Sequence, residues 1–418
     1  MGGVRVNWAR AIGAAGDDAD GSAAVGWGGG PGANLPSLRN HNAALVLDLL
    51  RTAGEEGISR LEVAERTGLT PQAVSKITAR LREQDLVTEA GRRASTGGKP
   101  PTALRLVPSA AYAVGVQLDR DELTAVLLDL AGTQIATRAV SADLGAGPDA
   151  VTEQVAKQVR ALLSDSLHAD PVNAGYLKST AGEPAGTASD TAGDVGAGAR
   201  VLGVGVAMPG PLDHRAGVPG RVTGYPEWNG YPLRDEIAAR LGLPVVLDKD
   251  TNAAALGILL RGESGSFAYL HLGTGIGAGL VLDGSLYRGV RTGAGEFGHQ
   301  VVQLDGPLCA CGKHGCIEAV CLAAADRGDV GEAARVLSVG IANLAELLDI
   351  DQVLLGGRVV AADESEFVRG VRAALPSRTQ VLVAPAGGSA YRVAEGAAQL
   401  VLAPVFGRAE TAVESQPG

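Results

Sequence analysis

The chain has 418 residues, 46% of them hydrophobic, 3% aromatic, and a net charge of −10. That length implies two or three domains, and the acidic balance excludes a nucleic-acid binder over the whole chain. Four cysteines, three of them clustered and Cys321 apart, point to a reducing compartment rather than a disulfide scaffold. No apolar run reaches the ~18–20 residues of a membrane span, and the start Met1-Gly2-Gly3-Val4-Arg5 lacks a signal-peptide core, so a soluble, cytoplasmic protein without a membrane partner is expected.

Residues 1–36 are rich in Gly, Ala and Asp without periodicity and read as a disordered tail. Residues 37–107 read as three helices and a β-wing. Leu45, Val46, Leu49 and Leu50 recur at helical spacing. Ser59 is placed to cap a second helix, Arg60 to Thr67, ended by Gly68. Thr70 caps a third helix with Pro71 at its first position. The solvent face of that helix is expected to carry Gln72, Ser75, Lys76, Thr78 and Arg80, groups able to reach base edges or phosphates. Leu86–Glu89 and Ala103–Leu106 read as wing strands around a basic loop containing Arg92, Arg93 and Lys99. From Thr70 to Val107 seven basic residues face three acids, a local excess suited to a phosphate backbone. A winged helix-turn-helix with DNA contacts at Thr70, Gln72, Ser75, Lys76, Arg80, Arg92, Arg93 and Lys99 follows; a helical protein-interaction module with a solvated basic face is the plainer alternative.

Beyond Val107 strand and helix patterns alternate. Tyr112–Val116 and Leu123–Leu130 suggest an opening hairpin, and Val151–His168 a helix. Residues 169–199 form a low-complexity insertion without a chemical role. A strand at Val201–Val206 leads to the tight loop Pro209-Gly210-Pro211. Trp228-Asn229 then lies in a polar loop before a helix starting at Leu233. In Val245-Val246-Leu247-Asp248-Lys249-Asp250-Thr251 a carboxylate, Asp250, ends a strand and opens a helix, where it is at least a capping group. Leu272-Gly273-Thr274-Gly275-Ile276-Gly277 suits either a packed glycine hairpin or backbone approach to a phosphate. His299, Cys309, Cys311 and Cys316 supply three thiols and one imidazole at tight spacing, a tetrahedral zinc set, with buried structural thiols as the alternative. Glu296 and Glu318 frame that loop. Residues 407–418 read as a tail, and no solenoid-type repeat is present.

The pattern E-x-G-H followed by C-x-C-G-x-x-G-C-x-E resembles the signature of the ROK family (repressors, open reading frames and sugar kinases). The likeness runs from about Tyr112 to Ala403. It implies an α/β chain in which the winged helix precedes a two-lobed actin-like, ribonuclease H-like sugar-kinase fold, with a small lobe over 108–247 and a large one over 248–406. It implies that Asp250 stands where the kinases have the general base, and that Asn229, Lys249, Glu296, His299 and Glu318 line a sugar site. His299 would serve both zinc and ligand. Gly273, Thr274 and Gly275 match the second phosphate loop, and Leu354-Leu355-Gly356-Gly357 the adenosine motif, with Arg358 where a third glycine is usual.

The chain departs from the kinase pattern at the first phosphate motif. Gln117-Leu118-Asp119-Arg120-Asp121 replaces Asp-x-Gly-Gly-Thr, removing the magnesium-side acid and both glycines and adding negative charge beside phosphates. Lys249 replaces a sugar-contacting asparagine, which suits an acidic or phosphorylated sugar. The stretch between Cys321 and Gly331 is also shorter than usual for the family. The expectation is a transcriptional regulator of carbohydrate genes, with operator DNA and a sugar or sugar-phosphate effector as partners. It would carry structural zinc without ATP–magnesium and assemble as a homodimer or homotetramer. An ATP-dependent sugar kinase with Asp250 as base is the alternative.

Overall fold

The computed structural model describes residues 35–92, 102–167, 200–222, 224–377, 379 and 381–408. The expected N-terminal tail (all but its last two residues), the insertion 169–199 and most of the C-terminal tail lie outside the described residues. So do Arg93, Lys99 and the side chain of Arg92.

The winged helix is built by local signals. Helix α1 (Leu35–Ala53) is followed by β1 (Ile58–Ser59), α2 (Arg60–Thr67) and α3 (Pro71–Glu83), then β2 (Val87–Arg92) and β3 (Thr102–Leu106) in a sheet of order β1-β3-β2. Ser59 Oγ accepts from Glu62 N at 3.2 Å, while Glu62 Oε2 accepts from Ser59 N at 2.8 Å, so two otherwise orphaned donors are satisfied reciprocally. Gly68 ends α2 at φ 69°, a left-handed position that favours glycine. Thr70 Oγ1 accepts from Ala73 N at 3.2 Å above Pro71. Val46, Leu50, Val63, Val74, Leu81 and Leu104 close the small core, while Leu45 faces solvent.

Two five-stranded sheets follow. The first has order β10-β7-β4-β5-β6. Its strands are β4 (Ala111–Leu118), β5 (Glu122–Asp129), β6 (Gln134–Ser141), β7 (Arg200–Met208) and β10 (Val245–Lys249). β4, β5 and β6 form an antiparallel meander, and β7 and β10 add in parallel. The short strands β8 (Leu212–Asp213) and β9 (Val218–Pro219) pair beside it. Helices α4 (Pro148–Leu167) and α5 (Leu233–Leu241) share its apolar core. The second sheet has order β13-β12-β11-β14-β15, from β11 (Phe267–Leu272), β12 (Ile276–Leu282), β13 (Ser285–Tyr287), β14 (Gln352–Gly356) and β15 (Leu382–Pro385). Helices α7 (Ile317–Asp326), α8 (Val330–Leu348) and α10 (Glu364–Ala374), with the short α9 (Arg358–Ala362) between the last two, belong to this half.

Helices α6 (Asp250–Leu260) and α11 (Arg392–Leu402) lie between the two sheets. Their approach demands glycine: a Cβ at Gly115 would sit 1.9 Å from the Ala394 carbonyl, and one at Gly205 1.8 Å from that of Ala397. The far side of α11 and the 3₁₀ turn after it complete the winged-helix core, since Ala394, Ala398, Leu402 and Phe406 cluster with Val46, Leu47 and Leu50. Arg51 secures this joint by donating to the Leu260 carbonyl at 3.0 Å and stacking 5.1 Å from the Phe406 ring centroid. Arg51 and Arg408 also pair with Asp48 at 2.7 and 2.9 Å. Burial works to raise the Asp48 carboxyl, but hydrogen bonds and charge from these two guanidinium groups outweigh it and hold the group below its ordinary value.

Candidate functional site

The metal loop hangs between β13 and α7. A 3₁₀ turn at Phe297–His299 presents the imidazole, and bridges Val301–Cys316 and Leu308–His314 fold the cysteine segment back on it. Gly315, at φ 65°, is pressed so close to the Gln303 carbonyl that a Cβ would fall 1.6 Å from the oxygen. The ligand atoms of His299, Cys309, Cys311 and Cys316 lie within 4.8 Å of one another. Cys311 Sγ and Cys316 Sγ are 3.7 Å apart, and Cys309 Sγ lies 3.7 Å from His299 Nδ1. Tetrahedral zinc with ~2.3 Å Zn–S bonds sets its thiolates ~3.8 Å apart, so the set fits that ion. Burial, then crowding by Cys311 and Cys309, pushes the Cys316 thiol up to about 12; a bound cation reverses that preference.

Next to this loop a small cavity of about 80 Å³ is lined by Asp119, Arg120, Lys249, Asp250, Thr251, His271, Thr274, Gly275, Glu296, His299 and Glu318, among others. Asp250 opens α6, and its Oδ1 accepts from Thr251 N at 2.6 Å. Burial raises its carboxyl, only partly countered by His271, the Thr251 N–H and Lys249, and Asp119 adds to the rise. Glu318, in the first turn of α7, accepts from Ile276 N at 2.8 Å, so one amide of the glycine loop is already occupied by a carboxylate. Lys249 is buried, and its Nζ donates to Glu296 Oε1 at 3.2 Å and to the Ala294 carbonyl. Arg120 projects into the cavity with a buried Nε that has no hydrogen-bond partner among the described residues.

A second cavity of about 620 Å³ adjoins the first and is lined by Gln117, Glu122, Gly273, Gly356, Gly357, Arg358 and Tyr391, among others; Asp119 and His271 line both.

The sequence-selected residues are therefore brought together unevenly. Lys249, Asp250, Glu296, His299 and Glu318 converge with Thr274 and Gly275, while Gly273 faces the neighbouring cavity. Asn229 is exposed after a 3₁₀ turn and lines neither cavity. In the winged helix, Thr70, Gln72, Ser75 and Lys76 are exposed and Arg80 is half-buried. Thr78 is corrected: it is fully buried, donates to the Val74 carbonyl at 2.9 Å and accepts from Arg60 Nε at 3.3 Å. With Val74 four residues before it and Leu81 three after, it continues the apolar stripe.

Sequence reading passed over three further groups. His271 interrupts the apolar strand β11, a signal that was visible, and its Nδ1 lies 2.9 Å from Tyr269 Oη. Thr251 simply follows Asp250. Asp248 is buried and pairs with Arg288 at 2.6 Å and Asn252 Nδ2 at 2.8 Å; no local pattern announces a partner forty residues on.

The ROK family model matches residues 193–328, and a winged helix-turn-helix DNA-binding model matches residues 45–88. A xylose repressor of Bacillus spizizenii is 28% identical over 264 residues, covering 62% of this chain and 61% of the repressor, so the chain spans about three fifths of that relative's length. A glucokinase of Thermotoga maritima is 44% identical over 128 residues, 30% of this chain and 40% of the kinase. Among solved structures, a ROK family transcriptional regulator described as a homologue of the E. coli MLC protein superposes with TM-score 0.67 at 21% identity, covering 88% of this chain and 98% of that one, a likeness of fold.

Proposed function

We propose, for a chain that carries a ROK family domain behind a winged helix-turn-helix, that it is a sugar-responsive, DNA-binding repressor of carbohydrate genes acting in the cytoplasm. One observation supports this reading: the winged helix-turn-helix shares a core with the α/β body, whose turn at Asp119–Asp121 departs from the kinase phosphate motif and pairs with Thr274 and Arg358.

Exposed Gln72, Ser75 and Lys76 on α3 enter the major groove, with Thr70 and Arg80 at the flanking phosphates and Arg92, Arg93 and Lys99 extending the contact from the wing. In the cleft, Asp250 and Glu318 accept from sugar hydroxyls, while Arg120 and the outer nitrogen of His299 donate. Lys249 has its charge taken up by Glu296, so its presence no longer argues for an acidic effector; a neutral sugar meets this cleft without an unpaired charge. His299, Cys309, Cys311 and Cys316 hold structural zinc, which stiffens the loop carrying Glu296 and the N-terminus of α7 carrying Glu318. Closure on the sugar changes the body on which the winged helix is mounted and, in a dimer, the spacing of two such helices, so operator affinity follows sugar occupancy.

The first phosphate motif stands against the enzyme reading. Asp250, half-buried and with its carboxyl raised by desolvation, together with the glucokinase likeness, favours the kinase as the second reading. A thermal-shift titration against sugars and sugar phosphates, with and without magnesium-ATP, decides between them. A shift from one sugar alone supports the sensor, and the same sugar should then change operator affinity. Asp250→Ala should weaken that sugar tenfold or more. An additional shift from ATP with product formation would establish the kinase, and no shift from any sugar would overturn both.

A further inference from the structure

The two halves of the body are joined directly across the cleft by three residues that depart from the kinase pattern, Asp119, Asp121 and Arg358, and one that keeps it, Thr274. The turn Asp119–Asp121 links β4 to β5 in the first sheet; Thr274 lies between β11 and β12, and Arg358 follows β14, both in the second. Asp119 Oδ1 accepts from Thr274 Oγ1 at 3.0 Å and from its neighbour Arg120 N at 2.7 Å. Arg358 Nη1 donates to Asp121 Oδ2 at 2.9 Å. Arg358 where a glycine is usual and Asp121 where a threonine is usual are thus one another's partners. Asp119 stands at the junction of the two cavities, its carboxylate offered to the glycine loop as a bound anion would be.

We propose that this acidic turn is an internal clasp: Asp119 and Asp121 replace a nucleotide's phosphates as the bridge between the lobes, and they gate entry to the sugar cavity. The inference rests on the sugar-sensor reading for its consequence, while the clasp itself can be measured without a sugar. With the clasp engaged, the sugar cavity is about 80 Å³, far below the ~300–1,000 Å³ of small-molecule pockets. A sugar therefore enters only when the turn lets go of Thr274 and Arg358, and its apparent affinity is lowered by the fraction of molecules in which the clasp is closed. Both clasp side chains of the ion pair are more than half exposed, so that contact is weak and salt-screened. The two contacts together are expected to bias closure roughly five- to twentyfold, enough to tune a sensor without locking it.

Hydrogen exchange on the full chain tests the clasp without ligand. In Asp121→Asn, Arg358→Gln and Thr274→Val, amides in peptides spanning 117–124 and 271–278 should exchange severalfold faster while the melting temperature stays close to wild type. The swap Asp121→Arg with Arg358→Asp should restore slow exchange. Unchanged exchange in the single variants, or a swap no better than they are, would overturn the clasp. A second arm titrates the sugars that shift the wild-type chain: Asp121→Asn should bind them about threefold or more tighter, and equal or weaker binding would overturn the gating role. If no sugar shifts any variant, the sugar reading fails, while the exchange result still decides whether the clasp exists.

Discussion

The two ends of the cleft are held by opposite means. At the proposed sugar end the buried Lys249 pairs with Glu296 and Glu318 accepts from a backbone amide of the glycine loop; one residue earlier on β10, outside that cavity, Asp248 forms a buried pair with Arg288. At the other end, by the turn Asp119–Asp121, charges pair across the cleft on half-exposed side chains, Asp121 with Arg358. Buried pairs are costly to break because the remaining charge has no water to turn to; exposed pairs yield cheaply. One end is therefore built to keep its shape and the other to open.

The largest expected effect lies at the metal loop. The wild-type chain should carry about one equivalent of zinc by elemental analysis, and Cys311→Ser should lose it and sugar binding with it, because ligand loss removes much of the ~10–16 kcal/mol that structural zinc sites supply. Retained sugar affinity without metal would detach the loop from the site. Next, Arg288→Ala leaves Asp248 buried without its cation, and should cost about 3–5 kcal/mol in denaturant unfolding. A cost near that of an exposed pair would erase the contrast between the two ends.

Restoring the kinase pattern with Gln117→Asp, Asp119→Gly, Arg120→Gly and Asp121→Thr removes the like charges and returns close backbone approach. The variant should show at least tenfold tighter magnesium-ATP binding by calorimetry than the wild type; no gain would mean the nucleotide end is closed by more than this turn.

The smallest effect concerns the joint to the winged helix, where Asp48→Asn should cost about 1–2 kcal/mol. Because the folded-state carboxyl is held below its ordinary value, its contribution is complete above the unfolded value near ~3.9 and is lost as pH falls through the folded one. The wild-type advantage should hold at neutral pH and fade below about pH 4, as followed by thermal melts.

Much of this was legible in local sequence. The winged helix was readable because caps, a left-handed glycine and an N1 proline act within four residues of one another, and helix α2 falls at Arg60–Thr67 as its capping residues require. The clustering of His299, Cys309, Cys311 and Cys316 was legible because the four donors lie close together in the chain. The miss at Thr78 was avoidable, since its spacing from Val74 and Leu81 places it on the apolar stripe. The position of Asn229 was not readable, because a loop's exposure depends on what packs over it.

By itself the sequence determined which groups the chain carries: a winged helix-turn-helix pattern, a zinc-type donor set, an acid opening a helix, and a turn at Gln117–Asp121 without the glycines of the kinase motif. Only the tertiary structure decided how those charges are used. It turned Lys249 onto Glu296, set Asp119 against Thr274 155 residues away and placed Arg358 on Asp121 237 residues away. The reason is physical: backbone signals act over a few residues, whereas a charge takes whatever partner the fold brings within about 3 Å, and chain distance leaves no local mark of that meeting.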